Sequence, residues 1–99
     1  MSLEIIKWTG KFPPTQDQLH KMFEERELSY YSFMNSKSDY YNPHSHDYNK
    51  FLVLAKGEMK WIIDGKEYHF KQGDAIILPK GSVHEVTALS ETECMEGHF

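Results

Sequence analysis

The chain has 99 residues, 39% of them hydrophobic and 14% aromatic, with fifteen acidic against eleven basic side chains and a formal charge of −4. That is the length of one domain with one core, too apolar for a disordered chain, and it holds neither a bilayer-spanning apolar run of roughly 20 residues nor a basic block that would recruit nucleic acid. A single cysteine, Cys94, excludes an internal disulfide and suits a reducing cytoplasm.

Residues 1–12 hold a short apolar piece, Leu3 to Trp8, without the basic and apolar regions of a secretory leader. Pro13-Pro14 interrupts the chain. Thr15 as N-cap, Asp17 in the first turn and the stripe Leu19, Met22, Phe23, Arg26 predict an amphipathic helix that ends near Glu27 and lids the core. His20, beside the stripe, reads as a surface side chain. From Leu28 to Met34 the period falls to two, which predicts a strand, and Asn35 to Pro43 reads as a polar loop.

Phe51 to Ala55 is apolar on both faces, as in a strand covered on both sides. Its second face calls for a cover, either the helix or a second copy of the chain, and we expect a homodimer. Met59–Ile63, the turn Asp64-Gly65 and Lys66–Phe70 predict a hairpin. A two-residue loop pairs Ile63 with Lys66, Trp61 with Tyr68 and Met59 with Phe70. Those residues, Lys66 excepted, make the core face, while Lys60, Ile62, Glu67 and His69 face solvent. Short strands then follow over Ala75–Leu78, Ser82–Leu89 and Thr92–Phe99, separated by Gly- and Pro-containing turns. About seven short strands at even spacing predict an all-β fold, a small barrel or double-sheet sandwich with a short N-terminal helix. We read residues 1–99 as one domain, with an extension over 1–27 and a barrel core over about 28–99.

Six histidines stand out. His44 and His46 lie two apart, a spacing that turns both imidazoles to one face of a strand. Two neutral imidazoles make half of a typical divalent metal site, and His84, on a distant strand, is the candidate third ligand.

The stretch Pro43-His44-Ser45-His46-Asp47-Tyr48-Asn49-Lys50, continued to Gly57, resembles the first cupin motif. Gly73-Asp74-Ala75-Ile76-Ile77-Leu78-Pro79-Lys80-Gly81-Ser82-Val83-His84 resembles the second, with the Asp64-Gly65 hairpin between them. The resemblance covers residues 43–88. It implies a small single-domain, RmlC-like cupin: a jelly-roll barrel with a polar site in its mouth and His44, His46 and His84 as ligands of a divalent transition metal. Three imidazoles suit Zn²⁺, Fe²⁺, Ni²⁺, Mn²⁺ or Cu²⁺, with water in the open positions. Two departures stand against the pattern. Lys50 occupies the place of the usual Glu, and Ala88 that of a frequent Asn. The other reading of the same residues is a barrel that kept its histidines as hydrogen-bonding pocket residues and lost the metal.

Lys50 shares its parity with His44, His46 and Leu52 and so points toward the site if no bulge intervenes. Two like charges about 4 Å apart cost about 4 kcal/mol at an effective dielectric near 20. Lys50 therefore is neutral, reaches out to solvent, pairs with a carboxylate or an anionic ligand, or faces a site without metal. Tyr48, Trp61 and Tyr68 join it as candidate substrate-binding side chains, with core phenols as the plainer reading of the two tyrosines. Glu58 reads as solvated, Glu85 as facing away from the site, Cys94 as a buried inert thiol of undetermined face, and His98 as part of a frayed end. Two functions fit. One is a cupin that binds a divalent metal and a small molecule, anionic if Lys50 is its handle, acting as a metal-dependent oxygenase or isomerase. The other is a non-catalytic small-molecule binding or sensing module. Whether the chain is an enzyme stays open at this point.

Overall fold

A computed structural model describes residues 1–99. In chain order it contains β1 (Glu4–Ile6), α1 (Gln16–Glu24), β2 (Tyr31–Asn35), β3 (Tyr40–His44), β4 (Lys50–Lys56), β5 (Met59–Ile63), β6 (Lys66–Phe70), β7 (Ala75–Leu78), β8 (His84–Ala88) and β9 (Thr92–His98). The strands form two antiparallel sheets, ordered β1-β7-β4-β9-β2 and β3-β8-β5-β6. The sheets lie face to face as a jelly-roll sandwich. No ladder joins one sheet to the other, so the expected barrel is not closed by strand pairing and the two sheets meet through their side chains.

The hairpin takes the register that its alternation predicts: Ile63 opposite Lys66, Trp61 opposite Tyr68, Met59 opposite Phe70. Asp64 and Gly65 both have positive φ, the backbone that a two-residue hairpin loop needs. Trp61, Met59, Ile63 and Phe70 are buried between the sheets with Leu52, Leu54, Ile76, Leu78, Val86 and Cys94. On the outer face of the five-stranded sheet, Leu19 and Phe23 of α1 pack on Phe51, Val53, Ala55, Ala75 and Met95. The second face of β4 is thus covered from within the chain, and that strand by itself gives no reason for a second copy.

The helix starts where its cap predicts. Thr15 Oγ1 accepts from the Gln18 N–H at 3.1 Å, and Gln18 Oε1 accepts from the Thr15 N–H at 2.8 Å. It ends at Glu24, earlier than expected, and Glu27 at φ 54° reverses the chain. The predicted loop over 35–43 is corrected, because Tyr40–His44 forms a strand. It is an edge strand with Tyr40 to Pro43 all exposed and a register shift between Tyr41 and His44, so it shows no apolar alternation and tolerates a proline. No helix is long and apolar enough to cross a membrane.

One buried carboxylate ties the N-terminal segment to the sandwich. Asp74 accepts from the N–H groups of Lys71 and Trp8, each at 2.8 Å, and from Lys7 Nζ at 3.0 Å. The Trp8 ring lies over Gly73, where a Cβ would meet it at 2.6 Å and the backbone sits at φ +94°. Asp74→Ala strands two backbone donors, and we expect a loss of about 2 kcal/mol, most of it from the part-buried backbone bonds because Lys7 is exposed. Urea unfolding of the variant and the parent measures it. An unchanged midpoint would show that these bonds are replaced by water at no cost.

Candidate metal centre

His44, the last residue of β3, pairs with His84, the first residue of β8. Directly opposed residues of an antiparallel ladder present their side chains to one face, so these two imidazoles meet from opposite strands. His46 lies beyond β3, in the irregular segment 45–49. The turn after β7 holds that segment: the Gly81 N–H donates to the His46 carbonyl at 2.7 Å, and Asn49 Oδ1 accepts from the Lys80 N–H at 3.0 Å. The His44–His46 pair therefore converges through a strand end and a pinned loop, not through alternation along one strand. One nitrogen from each of His44, His46 and His84 lies within 4.8 Å of the others.

Backbone carbonyls orient two of the rings. His84 Nδ1 sits 2.9 Å from the Ser82 carbonyl, and His44 Nδ1 2.5 Å from that of Asn42. A carbonyl only accepts, so each Nδ1 carries the proton and each Nε2 keeps a free lone pair. Nε2 of His84 and Nε2 of His46 are buried with no hydrogen-bond partner. An orphaned buried nitrogen costs stability unless something occupies it, and two in one histidine cluster fit a metal ion. Burial pushes His84 down to about 4, with His44, Lys50 and His46 adding to the effect against the Ser82 hydrogen bond. Burial, then Lys50 and His44, lower His46 as well. Both are neutral near pH 7, the state in which an imidazole can ligate a metal.

These histidines border a cavity of about 440 Å³ between the sheets. Tyr48, Lys50 and Trp61 line it, and the Trp61 ring stacks on His84 at 5.5 Å. Tyr68 does not line it; the phenol packs against the core with the Lys66 ammonium over its ring at 5.4 Å. Lys50 takes the carboxylate-pairing option: its Nζ lies 3.3 Å from Glu96 Oε1, with only 9% and 4% of the two side chains exposed. Glu96 also accepts from the Tyr31 hydroxyl at 2.5 Å and bonds His98 Nε2 at 2.5 Å. Burial alone would raise the Glu96 carboxyl, but His98, Tyr31 and Lys50 together hold it below the usual carboxylate range.

Glu96 went unnoticed in the sequence, as did Tyr31, Phe33, Met34 and Tyr41 on the cavity wall. The available signal was the period of two through Cys94, Glu96 and His98, but only the β4–β9 ladder, with Leu52 opposite Glu96 and Lys50 opposite His98, shows which face it serves. That ladder continues through paired bonds between Asn49 and Phe99, at 3.0 and 2.9 Å, so His98 is held and not frayed. Cys94 points between the sheets, and burial pushes its thiol up to about 12, an inert state. His69 and Glu58 form an exposed pair at 3.0 Å, and Glu85 bonds Tyr40 outside the cavity.

The family model of the cupin domain matches residues 35–95. The chain belongs to the cupin family. Among solved cupin-like structures it superposes on a DUF861 family protein from Thermotoga maritima with a TM-score of 0.67 at 19% identity, over 99% of this chain and 100% of that one. An RmlC-like cupin from Shewanella frigidimarina gives 0.66 at 17% identity, over 72% and 64%. Salicylate 1,2-dioxygenase from Pseudoaminobacter salicylatoxidans, as an adduct with gentisate, gives 0.66 at 10% identity, over 72% of this cupin and 19% of the dioxygenase. At these identities the likeness shows the fold alone. No curated protein matches the chain.

The depressed histidines make the metal-free cupin sensitive to acid. Unfolded, His84 takes its proton near 6.5; folded, near 4. Its contribution is complete above about pH 7 and lost as pH falls through that window, with about 2 kcal/mol gone by about pH 5. His46 acts in the same direction, and Glu96 extends the loss to lower pH. Urea unfolding at about pH 7.5 and about pH 5 should show a smaller drop for His84→Gln than for the parent. Equal drops would place the acid sensitivity elsewhere.

Proposed function

We propose that this cupin binds one divalent transition metal through His44, His46 and His84 and a small, largely apolar, oxygen-bearing molecule in the cavity beside it. The observation that carries this reading is the pair of buried, unpartnered Nε2 atoms of His46 and His84 within the cluster that His44 completes. A bound ion supplies Lewis acidity, and a redox-active one electron transfer besides. Tyr31, Phe33, Tyr48 and Trp61 offer flat apolar walls to a ring or an unsaturated chain. Lys50 Nζ has three donors and one carboxylate beside it, which leaves donors for an oxygen of the ligand. Because Glu96 already balances that charge, Lys50 orients such an oxygen more than it attracts an anion from solution. The cupin structures that resemble this one include a dioxygenase captured with gentisate, in keeping with oxygenase or isomerase chemistry on a small planar substrate. The buried lone thiol agrees with a cytoplasmic protein.

One observation favours the non-catalytic module as a second reading. Glu96 is the sole carboxylate on the cavity wall, and three partners hold it, so the cavity has no carboxylate free to act as a general base.

Titration of Zn²⁺ or Co²⁺ into the metal-free cupin should give one ion per chain. His84→Ala should weaken it at least about 100-fold, since a two-imidazole remnant binds poorly. His20→Ala and His69→Ala, both remote from the cluster, should leave it unchanged. Equal affinity of His84→Ala and the parent would sink the ligand set, and no binding by the parent would leave the metal-free pocket as the remaining reading.

A further inference from the structure

The three histidines are not held alike. His44 and His84 sit on strands, and each is oriented by a backbone carbonyl at its Nδ1. His46 sits in the segment between β3 and β4, and no such carbonyl holds it. Its ring instead stacks on Tyr48, with centroids 4.8 Å apart and planes 19° from parallel. Tyr48 stacks in turn on His98, at 3.8 Å and 23°. The stack ends at an anchor. His98 Nε2 bonds Glu96 Oε2 at 2.5 Å, and Glu96 is itself held by Tyr31 and Lys50. The backbone bonds between Asn49 and Phe99 keep β9 in register beneath it.

We propose that Tyr48 and His98 are positioning residues for His46: a three-ring stack anchored on Glu96 sets the orientation of the one metal ligand that no strand carries. The inference rests on the metal reading above. It also gives the carboxylate–lysine exchange a physical sense. At the position where the first motif usually carries a carboxylate, this chain has Lys50. The cavity carboxylate comes from β9 instead, and it reaches the ligand set through His98 and Tyr48.

A flat ring at position 48 is what the proposal requires, not its hydroxyl. Co²⁺ titrated into the metal-free full chain reads both affinity, by competition with a chelator, and ligand geometry, by its visible absorption. Tyr48→Phe should match the parent in both. Tyr48→Leu should bind about 10-fold more weakly, as for other loss of support behind a ligating histidine, with a changed absorption band. His98→Leu, a substitution near the exposed end of β9, should shift both in the same direction and keeps the test usable if Tyr48→Leu fails to fold. If the parent binds Co²⁺ and both leucine variants match it in affinity and spectrum, the stack has no positioning role although the metal site stands. A Tyr48→Phe protein as impaired as Tyr48→Leu would likewise overturn it, because the hydroxyl would then be the working group. Failure of the parent itself to bind Co²⁺ would remove the metal reading and this inference with it.

Discussion

Strand β4 is buried on both faces, and the arrangement of the other elements follows from that. Phe51, Val53 and Ala55 lie against α1, while Leu52 and Leu54 face the opposite sheet. A strand of this kind must be central, with neighbours on both edges, and β7 and β9 supply them. Its first residue, Lys50, is forced by the same alternation into the cavity. A long cationic side chain at a buried position is tolerated only with a counter-charge, so Glu96 on the adjacent strand is part of the same constraint.

That ion pair is weak evidence for stability. Taking both charges out of water costs several kcal/mol each, and their attraction offsets this only when the remaining donors and acceptors are satisfied. Here Tyr31 and His98 complete the carboxylate, whereas Lys50 keeps donors to spare. The arrangement gives the cavity one polar pole beside the histidine cluster, with apolar walls between the sheets. A ligand that presents an oxygen to each pole and an apolar body to the walls leaves the fewest groups unpaired.

The histidine cluster pays a comparable cost. Burial disfavours the imidazolium of His84 and His46, and the carbonyls of Ser82 and Asn42 select the tautomer that leaves Nε2 bare on His84 and His44. A cluster in which the two buried rings are neutral and three nitrogens already lie within 4.8 Å of one another needs little reorganisation to hold a cation. The turn Pro79-Lys80-Gly81 acts twice in this, since it carries the chain from β7 in one sheet to β8 in the other and pins the backbone of His46.

Much of this was legible in the residues. Period-two alternation and the Asp64-Gly65 turn determined the hairpin to the residue, because one slip would turn Trp61 and Met59 to solvent. Thr15 and Gln18 marked the helix start through a local capping box. The spacing of both cupin motifs picked out His44, His46 and His84. Local signals of this kind survive in the sequence because the partners are a few residues apart or share a strand face. What needed the tertiary structure was every pairing between strands that are distant in sequence. The edge strand β3 is exposed and has no apolar rhythm, so it read as a loop. Tyr68 has the parity of Trp61 yet sits on the outermost strand of its sheet, away from the cavity. Glu96 and His98, 46 and 48 residues beyond Lys50, became its neighbours only once β9 paired with β4. Charge complementarity between distant strands leaves no local trace, and it was the ladder that decided which carboxylate would meet the buried lysine.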